Sequence, residues 1–141
     1  VLGKYREEPL ILNSRENRRA ILFLSDIVSI EPLIEELRIN DFDVFAADDL
    51  DAGLAEHRKD PFQLAVVEEG YKSLSSPAVV KELLNIAWTT NSIIITEEDE
   101  DNLHETAEGL GILGGMKNRH DVKRLGQLLE TLNNILGWKK A

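Results

Sequence analysis

The stretch Phe62-Gln63-Leu64-Ala65-Val66-Val67 runs without regular apolar and polar alternation into Glu68-Glu69-Gly70. A strand with one face in water alternates, so this pattern predicts a strand buried on both faces, in the middle of a sheet. Asp60-Pro61 in front and Gly70 behind supply the stops. A strand of this kind needs a helical layer on each side of its sheet. Its acids sit where the chain leaves the sheet at the carboxyl end, the edge at which open α/β sheets carry their function.

The flanking segments repeat this grammar. Ala20-Ile21-Leu22-Phe23-Leu24 reads as a second buried strand ending in Ser25-Asp26. A helix follows, with Ser29 as its expected cap, Pro32 in its first turn, and Ile30, Leu33, Ile34 and Leu37 at helical spacing. Asp43 to Ala47 is a short strand. The next helix, Leu50 to about Lys59, is expected to bury Leu50, Leu54 and Ala55. Ser76-Pro77 starts a helix that buries Val80, Leu83, Leu84 and Ala87, with Trp88 closing the same face. Ser92 to Thr96 is a buried strand that runs into the acids Glu97-Glu98-Asp99-Glu100-Asp101. A helix with the thin apolar stripe Leu103, Ala107 and Leu110 and a glycine-weakened strand, Gly111 to Met116, come next. The final helix carries Val122, Leu125, Leu128, Leu129, Leu132 and Leu136 on one side and stops at Gly137. Strands alternating with helices through short connections require a parallel sheet covered on both faces, an α/β doubly wound architecture.

A chain of 141 residues fits one domain. Residues 1–18 read as a polar leader or short edge segment, with Pro9 to Leu12 its apolar patch, and residues 19–141 as the domain. The first residue is Val1 and not Met, which leaves room for a native targeting segment or neighbouring domain. The net charge of −10 argues against direct nucleic-acid binding, which needs a basic footprint to displace counterions from phosphates. There is no cysteine, so disulfides and thiolate chemistry are excluded and a cytoplasmic setting is expected. No apolar run approaches the roughly 18 residues of a membrane span and no signal-peptide pattern opens the chain, so no membrane partner is expected.

Gly109-Leu110-Gly111-Ile112-Leu113-Gly114 matches the dinucleotide fingerprint in letters only, because it follows a helix and leads into a strand where the fingerprint does the reverse. His57, His104 and His120 lie in polar surroundings without ligand spacing and read as surface residues. Glu68 and Glu69 are adjacent on a strand and point to opposite faces, so only one of them faces a site. The acid run from Glu97 reads as a solvated helix start favoured by the macrodipole.

Ser25-Asp26, Glu68, Thr96 and Lys117 would all meet at one edge of the sheet. In this order along an alternating chain, from about Arg19 to Leu136, they resemble the receiver domain of bacterial two-component response regulators. The resemblance implies a flavodoxin-like (βα)5 fold with strand order 2-1-3-4-5, the first and last helices on one face and the middle three on the other. It also implies an acidic pair after the first strand, a phosphorylatable aspartate after the third, a Thr or Ser after the fourth and a Lys after the fifth. Thr96 and Lys117 match. Ser25 replaces the first acid, leaving Asp26 alone, and Glu68 replaces the phosphoacceptor. Asn118 stands where a proline follows the lysine, and Gly114 stands where the switch aromatic is placed.

These departures imply a degenerate receiver, a phosphorylation-independent protein-interaction module in bacterial signal transduction or transcription control, and not an enzyme. In-line phosphoryl transfer depends on close positioning and on Mg²⁺ held by several carboxylates. Glutamate's extra methylene displaces the nucleophile, and Ser25 removes a ligand charge. No cofactor is expected, and Asp26 with Glu68 would bind Mg²⁺ weakly at best. Lys117 is placed to pair with Glu68, either imitating the phosphorylated state or satisfying a buried acid. A working phosphoacceptor receiver, and a small flavodoxin-like nucleotide-binding enzyme, are the alternatives. The expected partner is a protein or effector domain, a second copy included, with Glu100, His104 and Gly114 marking the contact surface.

Overall fold

A computed structural model describes residues 18–138; the leader's residues 1–17, with the Pro9 to Leu12 patch, lie outside the described residues. Strands β1 (Arg19–Phe23), β2 (Asp43–Ala46), β3 (Leu64–Glu68), β4 (Asn91–Ile95) and β5 (Ile112–Met116) form one sheet. Its order is β2-β1-β3-β4-β5, with every pairing parallel. The helices between and after them are α1 (Glu31–Ile39), α2 (Leu50–Lys59), α3 (Ser76–Ile86), α4 (Glu100–Ala107) and α5 (Val122–Leu136). The strand starting in the Phe62 to Val67 run is central, as its pattern requires. Leu64, Ala65, Val66 and Val67 are all fully buried.

Alternate side chains of the central strands feed two cores. Ala20, Leu22, Leu64, Val66, Ile93 and Met116 pack with the stripes of α1 and α5. Ile21, Phe23, Ala65, Val67 and Ile94 pack with α2, α3 and Leu103 of α4. The first and last helices thus share one face and the middle three the other. Gly53 of α2 is required by this packing, since a Cβ there would lie 2.6 Å from the Phe23 ring.

Several local expectations are corrected. His57 is fully buried: on α2 it shares with Gly53 and Leu54 the side turned inward, while Ala55 faces out. Its Nδ1 accepts the Phe62 N–H at 3.0 Å and its Nε2 lies 3.1 Å from the Leu83 carbonyl. Trp88 is 83% exposed, because α3 ends at Ile86 and Ala87 is extended, which breaks the helical spacing. The cap of α3 is Ser75, whose side chain accepts from the Ala78 N–H; Ser76 is buried instead, its hydroxyl 2.6 Å from Glu69. Ser29 does not cap α1. It takes a left-handed φ of 59° and the helix begins after Ile30 without a side-chain cap.

Candidate functional site

Parallel pairing brings the carboxyl ends of β1, β3, β4 and β5 to one edge, where they wall an open cleft of about 840 Å³. Asp26, Glu68, Thr96 and Lys117 line it, and Ser25 reaches it through its backbone, whose N–H donates to Glu68 Oε1 at 2.8 Å. Glu68 and Glu69 separate as strand geometry demands. Glu68 turns into the cleft, while Glu69 Oε1 accepts the backbone N–H and hydroxyl of Ser76 at the start of α3. Thr96 accepts the Glu98 N–H on its hydroxyl at 3.1 Å.

Lys117 does not pair with Glu68. Its Nζ donates to the carbonyls of Glu97 and Glu98, at 3.1 and 3.4 Å, and ties the β4–α4 loop to the end of β5. The cation that reaches Glu68 comes from two residues further along. Arg119 Nη2 donates to both Glu68 oxygens, at 3.0 and 3.1 Å. Its Nη1 donates to Asp26 Oδ1 at 3.0 Å, to the Asp26 carbonyl at 3.0 Å and to the Val28 carbonyl at 2.7 Å. The Arg119 side chain is 10% exposed, against 21% for Glu68 and 61% for Asp26.

The turn that delivers Arg119 is set by Asn118, at the position where the resemblance expects proline. Asn118 Oδ1 accepts the His120 N–H at 2.8 Å, an Asx turn that reverses the chain directly after β5. Asp121 then caps α5 by accepting the Arg124 N–H. Burying a guanidinium is costly unless its donors are satisfied, and here a single planar fork meets one carboxylate, a second carboxylate and two carbonyls. Burial by itself would raise the Glu68 pKa. The Ser25 backbone N–H, the Arg119 and Ser25 side chains and the Arg119 charge outweigh it and hold the carboxyl below its usual range.

Three donated hydrogen bonds engage the two Glu68 oxygens, so the carboxylate is not presented as a free nucleophile. The arrangement also does not fit a divalent cation. Among the described residues only Asp26 and Glu68 converge, Arg119 lies between them, and there is no cluster of three or more metal-ligating side chains.

Glu100, His104 and Gly114, the other residues singled out in the sequence, border one shallow depression of about 270 Å³ between α4 and β5. A Cβ on Gly114 would lie 2.8 Å from Leu128 and 3.0 Å from Arg124 Nη2. Arg124 fills this face instead, with Nε on the Gly115 carbonyl and Nη2 on Glu100 Oε1, both at 3.1 Å.

No protein-family model matches the chain, and no curated protein matches it by sequence. Solved structures do match. A response regulator receiver domain protein from Clostridium thermocellum superposes with a TM-score of 0.70 at 14% identity, over 84% of this chain and 96% of that one. The chemotaxis response regulator CheY4 of Vibrio cholerae gives 0.63 at 18% identity, covering 83% and 97%. A CheY-like protein (tadZ) from Pseudomonas aeruginosa gives 0.63 at 18% identity, covering 82% and 99%. The chain therefore has the response regulator receiver fold, a flavodoxin-like five-stranded sheet in the order 2-1-3-4-5.

Proposed function

We propose that residues 19–141 form a pseudo-receiver, a receiver-fold domain that works in signal transduction or transcription control as a protein-interaction module without phosphorylation. The observation that carries this reading is the two-pronged contact of Arg119 with Glu68. At the place where a receiver needs a free carboxylate and a cation that can leave, this chain has an engaged carboxylate and a cation covalently attached to itself. Phosphoryl transfer depends on positioning and charge neutralisation at the transferred group. Arg119 spends its charge on the acceptor instead.

The domain is accordingly a binding module and not an enzyme, without a magnesium requirement, and its partner is a protein or an effector domain. With no helix among the described residues long and apolar enough to cross a membrane, and no cysteine in the chain, a cytoplasmic setting is the natural one for such a module. Incubation with acetyl phosphate and Mg²⁺, read by intact mass, tests the reading. The unmodified mass is expected throughout, and a stable gain of one phosphoryl group would overturn it.

A further inference from the structure

Arg119 also shapes the β1–α1 loop. One guanidinium nitrogen ties down the carbonyls on both sides of Ile27, those of Asp26 and Val28. Asp26 Oδ1 accepts the Val28 N–H at 2.9 Å, and Ser29 turns the chain away with its left-handed φ. The side chains held at this tip are two adjacent aliphatics, Ile27 and Val28, exposed by 73% and 67%. A pair of neighbouring aliphatics fixed in water by their backbone has already lost the conformational freedom that docking would cost.

Val28 is also one wall of the cleft, and Glu97 and Glu98 belong to the same lining. Both glutamates are exposed, and their carboxylates have no hydrogen-bond or ion-pair partner among the described residues. The nearby cations are committed elsewhere, Arg119 to Glu68 and Asp26, and Lys117 to backbone carbonyls. The cleft therefore keeps a surplus of negative charge beside an apolar lip, its lining holding five carboxylates against one lysine, one arginine and one histidine.

We propose that the Ile27-Val28 tip, together with Glu97 and Glu98, docks a partner protein through a segment that alternates basic and aliphatic side chains. The aliphatics of that segment cover the tip, and its Lys or Arg enters the cleft. The chemistry selects protein: the surplus negative charge repels the phosphates of nucleic acid and of anionic lipid alike. The proposal rests on the reading of the domain as an interaction module, and it places the contact at the cleft instead of the α4–β5 face.

A blocked hexapeptide alternating Leu and Lys is a suitable probe, with Ser-Lys and Leu-Ser hexapeptides as controls and backbone amide NMR shifts as readout. The Leu-Lys peptide is expected to bind saturably, shifting the amides of residues 26–29 and 96–98. Both controls are expected to bind at least about fivefold more weakly, as are the Ile27→Ser/Val28→Ser and Glu97→Gln/Glu98→Gln variants toward Leu-Lys. All four substitutions are on exposed side chains, and unchanged spectra elsewhere would report an intact fold. Absence of saturable binding, equal binding of the Ser-Lys peptide, or shifts confined to other surfaces would overturn the proposal. The outcome is separable from acetyl phosphate labelling: labelling with peptide binding intact sinks only the pseudo-receiver reading, and no labelling with no binding sinks only this one.

Discussion

His57 accepts the backbone N–H of Phe62 on Nδ1 at 3.0 Å while stacking on the Phe62 ring, with centroids 5.8 Å apart. With Nε2 directed at the Leu83 carbonyl, the neutral Nε2–H tautomer satisfies both nitrogens. A second proton on Nδ1 would face another N–H across the same short distance.

The consequence is an acid-sensitive core. Burial holds the His57 pKa below its ordinary 6.5, as does the Arg19 charge, and together they outweigh the Leu83 contact that would raise it. Below 6.5 the unfolded chain takes up a proton that the folded one refuses. This contribution is therefore fully present above pH 6.5 and is lost as pH falls from there toward the depressed folded value, at up to about 1.4 kcal/mol per pH unit. Denaturant unfolding at pH 7.5, 6.5 and 5.5 should show the loss, and His57→Gln should flatten the slope. Equal slopes for both proteins would assign the acid sensitivity to other groups.

Glu68 titrates in a separate, lower window. Its carboxyl is held below its ordinary value of 4.5, so its contribution is present above 4.5 and is lost as pH falls through the lowered folded value. Arg119→Met leaves Glu68 without its main partner, and a loss of about 1–3 kcal/mol is expected at pH 7. The Glu68→Gln, Arg119→Met double variant should recover part of that loss, because no uncompensated charge remains at position 68, and Asp26, 61% exposed, stays hydrated. A double variant as unstable as the sum of the two singles would show that the pair is not coupled.

The sequence alone suggests that Ser25→Asp with Glu68→Asp would rebuild a divalent-cation site. The position of Arg119 predicts otherwise. With Arg119 in place, the two changes supply a further carboxylate for the guanidinium, and Mg²⁺ affinity measured by calorimetry should stay undetectable at millimolar concentrations. Adding Arg119→Ala should bring binding into range. Tight Mg²⁺ binding by the double variant with Arg119 intact would remove the argument.

Gly53 faces the Phe23 ring with no room for a methyl group. Gly53→Ala should therefore destabilise the domain by about 1–3 kcal/mol through overpacking, although alanine is the better helix former by about 1 kcal/mol. Thermal unfolding decides the sign. A stabilised variant would show that the Phe23 and Tyr71 rings, packed edge to face at 5.5 Å, repack at little cost.

Glu100→Lys removes the Arg124 partner and places like charges together. Glu100 is 57% exposed at this pair, so the stability loss should stay below about 1 kcal/mol. That makes it a clean probe of the α4–β5 face: light scattering across protein concentration, with His104→Glu alongside, reports whether the face mediates self-association. Self-association unchanged by both variants would exclude the face from a dimer contact.

Most of the scaffold was legible because unbroken apolar runs specify doubly covered strands and their alternation with helices leaves few topologies. His57 was legible in principle. Leu50, Gly53, Leu54 and His57 follow the three-and-four spacing of a buried stripe, and a polar residue type obscured it. Trp88 went the other way, since the helical spacing was carried two residues past the last helical residue, Ile86. At the site, the residues directly at strand ends could be placed by pattern. Arg119 could not, because its reach depends on the tight turn that Asn118 makes. The available signal was one of charge: two acids at a partly closed edge require a cation, and Lys117 was the nearer candidate in sequence but not in space.

A cation that arrives by diffusion occupies a site in proportion to its concentration and leaves when that concentration falls. Arg119 is anchored three residues beyond the end of β5, so its effective concentration at Glu68 is fixed by a short tether, on the order of millimolar or above, and no dialysis lowers it. On the pseudo-receiver reading, chelators and swings in free magnesium are expected to leave this edge of the sheet unchanged. On the same reading, a competitor for the guanidinium itself is the input expected to change this edge.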